Sequence, residues 1–185
     1  VPPEAGRPFM VIATQYPIEQ AGTDELPEAQ LDRFLIKTSI GYPDLAATEA
    51  ILNQVSTRDR STLVAPVITT AAIADMADLV AGVHIDPAVA RYTAELAQET
   101  RHDPNARLGV SVRGTMAILR AAKVWAATEG RTFVLPDDVK ALANPVWHHR
   151  IVMDPEAEFR GVTGETIVAR VLAEIPAPQA RQSVA

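Results

Sequence analysis

Two hydrophobic patterns divide this chain. Phe9-Met10-Val11-Ile12-Ala13 is an unbroken apolar run, the pattern of a strand covered on both faces, and it turns polar at Thr14, Gln15 and Tyr16. Gly22 to Pro27 is punctuated as a loop, Glu28 to Arg33 reads as a short helix, and Phe34 to Ile40 reads as a second apolar strand. From Asp44 onward the spacing is helical. Asp44 caps a helix from Leu45 to about Gln54, Ser56 to Pro66 is a polar connector, and a second helix starts at Thr69 or Thr70 and runs through Ile73, Met76, Ala77 and Val80 to Gly82. Val83-His84-Ile85 is a short strand or extended link. Asp86-Pro87 opens a third helix with Val89, Tyr92, Leu96 and Thr100, ended by Asp103-Pro104-Asn105. Ser111 caps a fourth, Val112 to Glu129, with Met116, Leu119, Ala122, Val124, Trp125 and Ala126 as its expected buried stripe and Gly130 as its stop. Arg131 to Leu135 is extended. Pro136-Asp137-Asp138 begins a fifth helix to about His148, and Thr163-Gly164-Glu165 begins a sixth that ends near Pro176.

Composition narrows the class. Of 185 residues, 48% are hydrophobic and 5% aromatic, so the cores are filled by Ala, Val, Leu and Ile. No apolar run approaches the roughly 20 residues of a membrane span, which gives the expectation of no membrane partner. The chain has no cysteine and hence no disulfide or thiolate metal site. A formal charge of −6 with scattered basic residues disfavours a nucleic-acid partner, including a helix-turn-helix made by the fourth and fifth helices.

Two arginines stand out by position. Arg33 falls between the short helix and the second strand, near the surface, where an ion pair with Asp32 or Glu28 is the bland alternative. Arg113 lies one turn into the fourth helix, whose free N–H groups and partial positive charge suit a phosphate oxygen, although on spacing alone pairing with a nearby carboxylate is the favoured reading. Arg101 suits a helix end as well as it suits a nucleotide or an interface. His84, His102, His148 and His149 lack metal-site spacing, so the metal expectation is none. Asp137 and Asp138 are capping charges, and Trp125 and Trp147 are expected in the core.

The stretches VIATQYP, GTDELPEAQLDRFL and Ile40-Gly41-Tyr42-Pro43 closely resemble the MoxR family of AAA+ ATPases. The similarity continues through Thr100-Arg101, Leu108-Gly109-Val110-Ser111-Val112-Arg113, LRAAK and PDDVKALANPVWHHR, almost the whole chain. The resemblance implies a mainly α fold class, a helical AAA+ lid bundle preceded by the last strands of an α/β AAA+ core. Residues 1–42 would be the end of the core, 43–176 the lid and 177–185 a disordered tail. It makes Arg33 the arginine finger acting in trans on a neighbouring subunit, and Arg113 the sensor 2 residue in contact with nucleotide. Tyr16 stands at the sensor 1 position, where the family has Asn, so either hydrolysis is weakened or the sensor is reorganised, with Thr14 or Gln15 a minor substitute. Val110 and Val112 depart from the family's Ala-Ser-Pro-Arg.

The sequence contains no G-x-x-x-x-G-K-[ST] loop, and no apolar strand ending in paired acids precedes Phe9. The expectation is therefore a C-terminal portion of a longer protein that neither hydrolyses ATP nor binds it tightly alone. The resemblance implies ATP and Mg2+ as cofactors of the intact protein, a homo-oligomeric ring, taken as a hexamer, and a cytoplasmic location. It also implies chaperone-like remodelling or maturation of partners, among them proteins with a von Willebrand factor A domain, sometimes connected to metal-cofactor insertion. The alternative is a non-catalytic helical interaction module.

Overall fold

The computed structural model describes residues 9–15, 26–53 and 64–178. Packing divides the chain differently from the sequence boundary at residue 42. Of the described residues, one unit takes in 9–12 and those within 38–78; the other takes in those within 13–37 and from 79 onward.

The first unit contains helix α2, Leu45–Leu52, and most of α3, Thr70–Ala81. Asp44 caps α2 through a 2.7 Å bond from the Ala47 N–H to its Oδ1, and Thr69 Oγ1 accepts from Ala72 N at 3.1 Å. Neither helix buries a residue.

The larger unit begins with α1, Glu28–Leu31, and continues with α4, Pro87–His102; strand β1, Ala106–Leu108; and α5, Val112–Thr128. Helix α6, Pro136–Trp147, runs into a 3-10 turn at His148–Arg150, followed by β2, Val152–Met153; α7, Pro155–Phe159; and α8, Gly164–Glu174. Most of these bounds follow the caps read from the sequence. Asp86, Ser111 and Thr163 each accept a backbone N–H into the first turn of their helix. Asp138 accepts from the N–H of Leu135 and takes both ends of the Arg131 guanidinium, at 2.8 and 2.6 Å, so this acid at the start of α6 is structural, while exposed Asp137 pairs with Lys140. His84 forms a parallel bridge with Phe133, which joins the two links read as extended.

The strands expected at Phe9 to Ala13 and Phe34 to Ile40 do not form in this chain. Neither stretch is strand, and Met10, Ile12 and Ile40 are 78%, 81% and 96% exposed. An apolar strand is held by neighbours along its edges and layers on its faces. Among the described residues the one sheet is the antiparallel pair β1–β2, which the sequence pattern did not reveal.

The buried stripe of α5 also differs from expectation. Gly114, Ala117, Ile118, Ala121, Ala122 and Ala126 face inward, while Met116, Val124 and Trp125 are about half exposed. Small side chains, rather than the large ones that dominate the pattern, let α5 lie close to α6. Trp147 does belong to the core, and its indole N–H donates to the Gly114 carbonyl at 3.0 Å. Leu96, Ile118, Val146, Ile167 and Val171 complete the packing between α4, α5, α6 and α8. Ala177, assigned to the tail from sequence, packs against this core; residues 179–185 lie outside the described residues.

Gly164 marks the tightest approach, since a Cβ there would sit 2.3 Å from the His148 carbonyl oxygen. Backbone cannot yield as a flexible side chain does. Gly164→Ala is therefore expected to lower stability by about 1–3 kcal/mol, measured by denaturant unfolding.

Candidate functional site

The last carbonyls of a helix have no partner in its own ladder. At the end of α6 they receive residues from the other end of the chain. The Pro145 carbonyl accepts from Lys37 N at 2.9 Å, and the Val146 carbonyl accepts from Arg150 Nε at 2.7 Å. Having turned back on its own helix, the Arg150 side chain, 2% exposed, donates from Nη1 to Asp32 Oδ1 at 2.7 Å and to the Asp32 carbonyl at 2.5 Å. Its Nη2 donates to the Phe34 carbonyl at 2.5 Å, and His149 Nε2 lies 3.1 Å from the same oxygen.

Asp32 and Phe34 are thus held on either side of Arg33, which is itself exposed. Both carboxylates offered by the bland reading of Arg33 are engaged elsewhere. Glu28 pairs with Arg107 at 3.0 Å, and Asp32 pairs with Arg150 and with Arg113. Among the described residues Arg33 has no carboxylate partner.

Arg113 sits in the first turn of α5, its side chain 66% exposed and its Nη1 3.6 Å from Asp32 Oδ2. So long and exposed a pair contributes little and is easily exchanged for another anion. The loop that leads to it is firmly built. Thr100 Oγ1 accepts from Val110 N at 2.9 Å, Arg101 Nε donates to the Val110 carbonyl at 2.7 Å, and buried Asp103 pairs with Arg170. Gly109 is required there, since a Cβ would lie 2.5 Å from the Thr100–Arg101 backbone. Arg101 is accounted for by this bracing.

The structure therefore places Arg113 beside the carboxylate of Asp32, the residue next to Arg33 in the chain. Sequence reading missed Arg150, which carries no motif of its own; its only signal was the unbroken similarity of the stretch that ends PVWHHR. Tyr16 lies outside the described residues, while Thr14 and Gln15 are exposed. No group of three His, Cys, Asp or Glu side chains among the described residues could hold a metal ion.

Residues 98–171 match the family described as the AAA lid domain, and residues 3–36 match the ATPase family associated with various cellular activities. The uncharacterized protein YeaC of Bacillus subtilis is 38% identical over 96% of this chain and 55% of its own length. The chaperone MoxR1 of Mycobacterium tuberculosis is 30% identical, over 93% of this chain and 48% of its own. Protein MoxR of Paracoccus denitrificans is 34% identical, over 93% and 57%. The chain belongs to the MoxR family of AAA+ ATPases. A crystal structure of a candidate ATPase from Cytophaga hutchinsonii superposes with a TM-score of 0.79 at 29% identity, over 89% of this chain and 53% of that one. This MoxR-family chain spans about half the length of the relatives it matches.

His149 gives the Phe34 contact a dependence on pH. Burial lowers its pKa to about 4, against the pull of the Phe34 carbonyl, and the neighbouring Arg150 charge adds to the effect. Its Nδ1 is buried with no partner, so protonation would place a charge where nothing receives it. Between about pH 6.5 and about pH 4 the unfolded chain binds a proton that the folded chain refuses. Stability contributed by neutral His149 is present above this window and is lost as pH falls through it. Thermal melts across the window should show a falling Tm, and His149→Gln should flatten that slope.

Proposed function

We propose that the protein carrying this chain is an ATP hydrolase that works as a homo-oligomeric ring, taken as a hexamer, in the cytoplasm. Arg33 acts in trans as the arginine finger, and Arg113 meets the nucleotide of its own subunit as sensor 2. The observation that carries this reading is the exposure of Arg33 between two clamped neighbours, with both nearby carboxylates already engaged. An exposed guanidinium with no carboxylate partner among the described residues, between two clamped neighbours, suits charge that develops outside its own subunit. A monomer would have no use for it.

ATP with Mg2+ supplies the phosphoryl group whose transfer the arginines serve. Arg33 and Arg113 fit an anionic phosphate in charge and exposure. The 185 residues contain neither a phosphate-cradling loop nor a strand ending in the paired acids that hold Mg2+. In this reading Arg33 stabilises negative charge on the transferring group, and Arg113 leaves Asp32 for phosphate oxygens. The work done is chaperone-like remodelling or maturation of partner proteins, among them proteins with a von Willebrand factor A domain. Its support is the family and the naming of MoxR1 as a chaperone.

In the full-length ring, Arg33→Ala should lower ATP turnover by ~10³-fold or more while leaving ATP affinity nearly unchanged, read by steady-state kinetics beside calorimetric titration. Unchanged turnover removes Arg33 from the mechanism. Tyr16→Asn should raise the rate without tightening affinity if the phenol stands in for a water-positioning amide. A slower, less stable variant would mean that the site has been rebuilt around Tyr16.

A further inference from the structure

We propose that Arg150 is the positioning residue of Arg33, and that through it the finger is fixed to the helical lid rather than to the segment that follows. The inference rests on Arg33 acting as the finger. Arg150 is buried beside α5, and space for it depends on a glycine: a Cβ at Gly114 would meet Val110 Cγ1 at 2.8 Å and Arg150 Cδ at 3.1 Å. From there the guanidinium makes four bonds in different directions. One, to the Val146 carbonyl, anchors it to the lid; the other three grip the Asp32 carbonyl, the Asp32 carboxylate and the Phe34 carbonyl. Beyond the local turn bonds from Asp32 N and Phe34 N to the Glu28 and Leu31 carbonyls, the backbone on both sides of Arg33 is therefore clamped by one side chain 116 to 118 residues away.

No other group among the described residues holds both flanks. His149 reaches the Phe34 carbonyl alone, and Ser111 Oγ and Arg113 reach only the Asp32 carboxylate, at 3.4 and 3.6 Å. The five N–H groups of an arginine, spread over three nitrogens, can serve all four acceptors at once, and the three donors of a lysine, on one nitrogen, cannot. A cation of the same charge should therefore not replace Arg150.

The test is a double-mutant cycle in the full-length ring at saturating ATP. Arg150→Lys and, separately, Asp32→Ala should each lower kcat by ~10²-fold with KM for ATP nearly unchanged, the scale expected when a catalytic group is misplaced by about an ångström. In the Arg33→Ala background the same substitutions should cost nothing further, because no finger remains to be positioned. Hydrogen exchange supplies a readout without turnover: Arg150→Lys should speed exchange at the Phe34 and Lys37 amides and leave the Ile118 amide protected. Arg131→Gln, which breaks the Arg131–Asp138 pair remote from Arg33, serves as the control for general loss of stability and should leave kcat per folded ring unchanged.

Losses that multiply in the Arg33→Ala background, or unaltered protection at Phe34 and Lys37, overturn the positioning role while leaving the finger intact. An inert Arg33→Ala overturns the finger, and the positioning role with it. Should Arg150→Lys fail to fold, Asp32→Ala decides through the same cycle.

Discussion

Helix α6 ends in the middle of the larger unit, and its free carbonyls need donors that the helix itself does not supply. The chain meets the need with one distant backbone group and one nearby side chain. Lys37 N–H comes from the segment after α1, and Arg150 comes from the 3-10 turn that follows α6. An unmet buried acceptor would cost on the order of 1–3 kcal/mol, so each carbonyl is a reason for these segments to stay. The close contact of α5 with α6, through Gly114, Ala117 and Ala121 and the Trp147 indole bond, fixes where α6 ends. The position of residues 32–37 follows from that contact.

Much of this was legible in the sequence because it is local. Asp44, Asp86, Ser111 and Thr163 mark helix starts by chemistry that acts over three residues, and the structure places the caps there. Arg33 and Arg113 were found through similarity to a family. Their shared neighbour Asp32 was weighed only as a partner for Arg33. What stayed hidden depends on distant packing. Ala122 and Ala126 were expected inside and are buried there, but hydrophobicity added the large Met116, Val124 and Trp125 and passed over Gly114, Ala117 and Ala121. The apolar runs at 9–13 and 34–40 were read as strands from an accurate pattern, but a strand is a relation between segments and these have no sheet neighbour among the described residues. Arg150 has no local signature at all, since its meaning lies in acceptors more than a hundred residues away.

Asp32 holds two cations in different settings. Its Oδ1 takes the buried Nη1 of Arg150 at 2.7 Å, while its Oδ2 faces the exposed Arg113 at 3.6 Å. The first is a short, shielded, charge-assisted bond and the second is screened by water and salt. The two differ enough that Arg113 can be exchanged without disturbing Arg150. A carboxylate so divided keeps the backbone in place while leaving one guanidinium available.

The separation of 118 residues between Asp32 and Arg150 also sets an order in time. On a ribosome adding about 5–20 residues per second, the segment around Asp32 waits roughly 6 to 24 seconds before Arg150 has been made. Throughout that interval the segment has its own turn bonds, from Asp32 N to the Glu28 carbonyl and from Phe34 N to the Leu31 carbonyl, but lacks the Arg150 clamp on either side of Arg33. A growing subunit therefore acquires this clamp only once the turn that follows α6 has been made.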